Sequence, residues 1–132
     1  MQEELTTKRE KLFTLQEANS LIPKLLPLIK KVTLESNALL KLQGEIKKAR
    51  AKANLGSGSY QGTAYLNHLV SLTTTIGEVE KTGVLVKDYN TGLCDFPHLK
   101  DGRVIYLCWK MDEKEIRYWH EIDSGFAGRQ PL

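Results

Sequence analysis

The chain has 132 residues, 41% of them hydrophobic and 27% charged, the balance of an ordinary globular domain with one modest core. A formal net charge of +3 is too small to hold nucleic acid or anionic lipid by its long-range field, so such a partner would need a local basic patch. The opening MQEELTTKRE has no apolar signal core, and the longest apolar run, LIPKLLPLI, is interrupted by Lys24 and falls far short of the roughly 20 residues that span a bilayer.

A cytoplasmic protein with no membrane partner is expected. Cys94 and Cys108 match neither a zinc ribbon nor a redox pair, and in that compartment they read as reduced thiols.

After a polar lead-in over residues 1–12, Phe13-Thr14-Leu15-Gln16-Glu17-Ala18 fits a capping box with a hydrophobic staple, which starts a helix at Leu15. Pro23 and Pro27 each lack an amide, so a break or kink is predicted between Ser20 and Pro23. Beyond it Leu25, Leu28, Val32, Leu39, Leu42, Ile46, Ala49 and Ala53 recur at spacings of three and four, with Glu35 in the one missed place. Leu26, Ile29 and Leu40 add a second apolar row, so this helix, about 45 Å long, needs more than one neighbour to cover it. Asn54 to Gly62 reads as a loop, Thr63 as the cap of a second helix carrying Tyr65, Leu69, Leu72, Ile76 and Val79, and Gly83 as its left-handed end. The two helices should form an antiparallel hairpin.

After Gly83 the period changes from helical to alternating. Residues 84–89, 93–96, 104–110 and 116–121 read as strands of an antiparallel meander, with turns at Asn90 to Gly92, Lys100 to Gly102 and Met111 to Glu115. Ile105, Leu107 and Trp109 should face the helices, with Tyr106, Cys108 and Lys110 on the more exposed face. Trp109, Tyr118 and Trp119 should pack across neighbouring strands. Glycines and Pro131 argue against the tail extending the sheet. The fold class is therefore α+β: a kinked N-terminal helix, a long helical hairpin and a small C-terminal antiparallel sheet with an ordered tail. Residues 1–132 are read as a single domain, helical over 1–83 and β over 84–132.

Phe13-Thr14-Leu15-x-Glu17-Ala18-Asn19, Val86-Lys87-Asp88, Gly92-Leu93-x-Asp95-Phe96-Pro97, Tyr106-Leu107-Cys108-Trp109 and Trp119-His120-x-x-Asp123-x-Gly125-Phe126-Ala127-Gly128-Arg129-Gln130-Pro131-Leu132 resemble a bacterial family, domain of unknown function 2203. The resemblance spans nearly the whole chain. It implies a small cytoplasmic bacterial protein whose helical half and C-terminal string belong to one unit, and it carries no activity, cofactor or catalytic residue.

The candidate site lies in the stretch from Gly92 to Leu132, which holds both cysteines, both tryptophans and two of the three histidines. Asp95, His120, Asp123 and Arg129 are singled out, because histidine titrates near neutrality, a carboxylate can fix its tautomer and arginine can clamp an anion with forked donors. They could bind a small anion or do acid/base work. Alternatively Arg129 pairs with Asp95 or Asp123 and pins a folded-back tail anchored by Phe126 and Leu132. Cys94, Cys108, His98 and His120 include no close ligand pair, so no metal or cofactor is expected. The basic run Lys47, Lys48, Arg50 and Lys52 suits a solvated helix end, and no aromatic residues accompany it for nucleic-acid stacking. The leading expectation is a non-enzymatic module forming a homodimer or higher homo-oligomer through its long helices; the runner-up is an anion-binding protein or enzyme using the C-terminal cluster.

Overall fold

A computed structural model of the protein describes residues 11–52 and 58–132. The expected lead-in over residues 1–10, Ala53 and residues 54–57 of the expected loop lie outside the described residues. The elements are α1 (Leu15–Lys52), α2 (Gly58–Glu80), β1 (Leu85–Asp88), β2 (Leu93–Lys100), β3 (Arg103–Lys110), β4 (Tyr118–His120), a 3-10 turn (Phe126–Gly128) and β5 (Gln130–Pro131). The class is α+β.

The capping box sets the start of α1. The Thr14 amide donates to Glu17 Oε1 at 2.9 Å and the Glu17 amide to Thr14 Oγ1 at 3.0 Å, satisfying two of the donors that a helix start leaves unpaired. Phe13 and Ala18, the ends of the staple, are buried. No break follows: Pro23 and Pro27 lie inside one helix of 38 residues. Both prolines are exposed, while Ile22, Leu25 and Ile29 continue a buried row along the other side. Each buried aliphatic side chain contributes about 1.5–3 kcal/mol, enough together to hold the helix through its missing hydrogen bonds.

The helix α2 begins at Gly58, ahead of the expected cap at Thr63. A helical glycine costs about 1 kcal/mol, and extending a helix already nucleated by packing requires no new nucleus. Val32, Leu39, Leu72 and Ile76 form the seam between the helices, with Tyr65 packed against it. Leu69, which the period places in the packed stripe, is 37% exposed. Glu35, at the seam's missed place, meets His68 of α2, whose Nδ1 lies 2.6 Å from Glu35 Oε1.

The sheet order is β1-β2-β3-β4-β5, with every pair antiparallel. β1 is bulged, its register shifting between Val86 and Asp88. β2 continues through Pro97 because pairing with β1 reaches only Asp95, so the missing proline N–H leaves no ladder bond unmade. Phe13 takes that edge instead: its amide donates to the Pro97 carbonyl at 2.7 Å, and His98 Nδ1 donates to the Phe13 carbonyl at 2.7 Å. The side-chain oxygen of Asn19 in α1 accepts the Ile116 amide at 2.8 Å and holds the β3–β4 connection.

Strand alternation sends Cys94, Phe96, Ile105, Leu107 and Trp109 to the helices, where they form the main core with Phe13, Ile22, Leu25, Ile29 and Val79. Tyr118 pairs with Cys108 and lies on the opposite face from Trp109 and Trp119, so the three aromatics do not pack as one group. Two further expectations are corrected. The tail does extend the sheet, as Gln130 and Pro131 pair with Trp119 and Tyr118; the glycines precede this stretch and let the chain turn back into it. On the face turned away from the helices, Tyr106 and Cys108 are 6% and 0% exposed: the Tyr106 ring lies between the His120 imidazole and Lys87 Nζ, and from the segment after β4 Arg129 reaches the Cys108 carbonyl. Phe126 of that segment lies 5.9 Å from Lys110 Nζ and borders a small cleft with Leu93 and Asp88.

Gly83 has φ of 97°, and a Cβ there would lie 2.9 Å from Lys11 Cβ. Gly44 is helical, and a Cβ there would have no neighbour within 4 Å. Gly83→Ala is therefore expected to destabilise the fold by at least about 1–2 kcal/mol, and Gly44→Ala to stabilise it by about 0.5–1 kcal/mol. Urea midpoints moving in opposite directions would bear this out; equal shifts would not.

Candidate functional site

Asp95 and His120, two of the four residues expected to form a site, are brought together. Asp95 pairs across strands with Cys108, and His120 pairs with Tyr106 one step along the same face of β3. Asp95, Cys108 and His120 are exposed by no more than 2%. His120 Nδ1 lies 2.7 Å from the Glu121 carbonyl oxygen, which can only accept, so Nδ1 carries a proton. Nε2 faces Asp95 Oδ1 at 3.0 Å, with one shared proton on that line. The Tyr106 ring meets the imidazole edge to face, with centroids 5.6 Å apart.

Burial pushes the Asp95 carboxyl above its ordinary range, against the opposing pull of His120 and Lys87. Burial, reinforced by the Asp95 charge, also pushes the thiol of Cys108 up to about 11 and that of Cys94 up to about 12. Neither thiol is a ready nucleophile at neutral pH. Cys94 and His98 face the helices and Cys108 and His120 face away, so the four soft donors noted in the sequence fall into two sets. The set that does converge is Asp95, Cys108 and His120, whose donor atoms lie within 4.8 Å of one another. Their types suit a borderline divalent cation.

Arg129 is placed differently from expectation. Its guanidinium carbon lies 4.2 Å from the centre of the Tyr118 ring and 4.7 Å from that of Phe126. Nη2 donates to Glu113 Oε1 at 2.7 Å and to the Cys108 carbonyl at 3.2 Å. The same Glu113 oxygen accepts the Lys110 amide at 2.8 Å. The expected bond to Asp95 or Asp123 is absent: Asp95 is turned toward His120, and Asp123 is exposed in the turn after β4. Phe126 and Leu132 are 47% and 56% exposed, so they are not the buried anchors expected of them. The tail is held instead by Arg129, by β5 and by the Leu132 amide, which donates to the Arg117 carbonyl at 2.9 Å.

Sequence reasoning missed Glu113, which no motif separates from its acidic neighbours Asp112 and Glu115. It set Cys108 aside for lack of a nearby ligand in sequence, although the strand register brings Asp95 opposite.

A helical hairpin laid on one face of a five-stranded antiparallel meander, with a closed polar cluster on the other, defines the class of protein. The chain belongs to the family of uncharacterised conserved proteins DUF2203, whose profile matches residues 11–132. Comparison with curated proteins and with solved structures gives no match. Among the described residues no helix is long and apolar enough to cross a membrane.

Removing Arg129 leaves Glu113 partly buried without its cation and frees the tail. Arg129→Ala is expected to cost on the order of 1–3 kcal/mol and to open residues 121–132 to protease, and Arg129→Lys should restore little because an ammonium cannot stack and fork in the same way. Full stability in the alanine variant by urea unfolding would contradict this.

Burial works to raise the Glu113 carboxyl, but the Arg129 bond, the Lys110 amide and both positive charges hold it below its ordinary range. A carboxylate depressed in the folded state adds stability above its unfolded value, about 4.3, and loses that stability as pH falls through the folded value. The gap between wild type and Glu113→Gln should therefore be largest near neutrality and shrink in acid. A gap independent of pH would argue against the pairing.

Proposed function

We propose that the protein is a non-enzymatic, self-associating module of the cytoplasm whose helical hairpin meets the hairpin of a second copy. The observation that carries this reading is an apolar stripe on α2: Leu66, Leu69 and Val70 are 57%, 37% and 55% exposed. They lie three and four residues apart, one helical face's spacing. From Gly62 to Gly77 the sequence contains no Asp, Glu, Lys or Arg. Such a surface can meet its own copy about a two-fold axis without opposing like charges. Leu40 of α1, 53% exposed, adds apolar surface beside a groove of about 700 Å³ that it lines with Gln43, Ile46, Arg50 and Tyr65. Cys94 and Cys108 are free and buried on opposite faces of the sheet, in keeping with a reducing compartment.

Sedimentation equilibrium at micromolar concentration tests the reading. Wild type should show twice the chain mass of 15.0 kDa, while Leu66→Glu combined with Val70→Glu should give a folded monomer. A monomeric wild type would sink the proposal, as would a dimer indifferent to these substitutions.

Lys47, Lys48 and Arg50 are exposed on the last turns of α1, where the helix dipole favours positive charge. Nucleic-acid binding through them should be weak and absent at about 150 mM salt, as a filter-binding titration would show.

A further inference from the structure

We infer that Asp95, Cys108 and His120 form a binding site for a divalent cation of the zinc class, one ion per chain, on the face of the sheet turned away from the helices. This site is separate from the helical surface invoked above. Three observations converge on it. First, a carboxylate, a thiol and an imidazole from three adjacent strands place their donor atoms within 4.8 Å of one another, and all three residues are buried. Tetrahedral coordination with bonds of about 2.0–2.3 Å separates its ligands by roughly 3.3–3.6 Å. The 3.0 Å between Asp95 Oδ1 and His120 Nε2 is close to that, so small side-chain adjustments admit an ion.

Second, the imidazole is oriented as a ligand. Its Nδ1 proton is committed to the Glu121 carbonyl, so Nε2 is the nitrogen that presents a lone pair to the cluster once the shared proton leaves. A backbone carbonyl in this role is the usual outer partner of a metal-bound histidine. Third, Arg129 donates to the carbonyl of Cys108 itself at 3.2 Å, and its Nε–H is buried with no partner among the described residues. A metal-bound thiolate would be a stronger acceptor for that guanidinium than a thiol.

Charge balances in the exchange. One divalent ion enters; the thiol proton of Cys108 and the proton shared by Asp95 and His120 leave. The cluster's net charge is unchanged, which matters in a region closed to water. Sulfur and imidazole donors favour zinc-class ions over magnesium or calcium. Cys94 points to the opposite face and cannot be the fourth ligand, so that position is left to water or another small ligand.

The test uses the full chain, reduced, stripped with chelator and titrated with cobalt(II), then zinc(II). Uptake of one cobalt per chain is expected, with a thiolate-to-cobalt charge-transfer band that equimolar zinc abolishes. Cys108→Ser should remove the band, and Asp95→Asn should weaken cobalt binding at least about 100-fold, with far-UV circular dichroism confirming that each is folded. If one variant fails to fold, the other carries the comparison, and Cys94→Ser should keep the band and the affinity. Absence of stoichiometric cobalt uptake by wild type would overturn the assignment. So would a band that survives Cys108→Ser or disappears in Cys94→Ser.

Discussion

The guanidinium of Arg129 is the contact on which the architecture of the outer sheet face depends. A planar cation can stack on aromatic rings while its edge donates to a carboxylate and a carbonyl, so one side chain joins Tyr118, Phe126, Glu113 and the backbone of Cys108. These partners belong to β4, the tail, the β3–β4 connection and β3. Once they are joined, the segment after β4 is tied to β3 and to the β3–β4 connection before it returns as β5. On the same face Asp95, Cys108 and His120 are exposed by no more than 2%.

The sheet therefore has two buried faces of opposite character. The face toward the helices is closed by apolar packing of α1 and α2, with polar atoms limited to placed groups such as the Trp109 indole, which donates to the Glu113 carbonyl at 2.8 Å. On the other a short tail is held through charge, rings and backbone bonds. Glu113 serves both, its carbonyl receiving Trp109 from the core and its carboxylate receiving Arg129 from the tail. The loop between β3 and β4 is thus fixed from two directions, and Asn19 of α1 adds a third.

Much of this was legible wherever the determining physics is local. Thr14 and Glu17 make a capping box within four residues, and Gly83 marks a backbone conformation that other residues adopt only under strain. Pairing across the sheet was legible in principle too: a two-residue turn at Asp101 and Gly102, with φ of 51° and 80°, pairs Lys100 with Arg103, and counting back from that pair sets Asp95 opposite Cys108. What local reasoning could not supply was the path of the tail. Choosing Glu113 over Asp123 for Arg129 depends on where residues 121–129 run in space. Pro23 and Pro27 show the converse: the helix runs unbroken past both, with apolar packing along its far side.

Both margins of the sheet are finished in ways that forbid growth. At one side β1 is four residues long and bulged beside Lys87; at the other, β5 has two residues, one of them Pro131, which has no N–H to offer. Phe13 fills the part of the β2 edge that β1 leaves open. Among the described residues an incoming strand would find only these short borders, so templated stacking of sheets into fibrils is disfavoured there. The exposed stripe of Leu66, Leu69 and Val70 is helical, and a helix completes its own backbone hydrogen bonds, so it offers no edge of that kind.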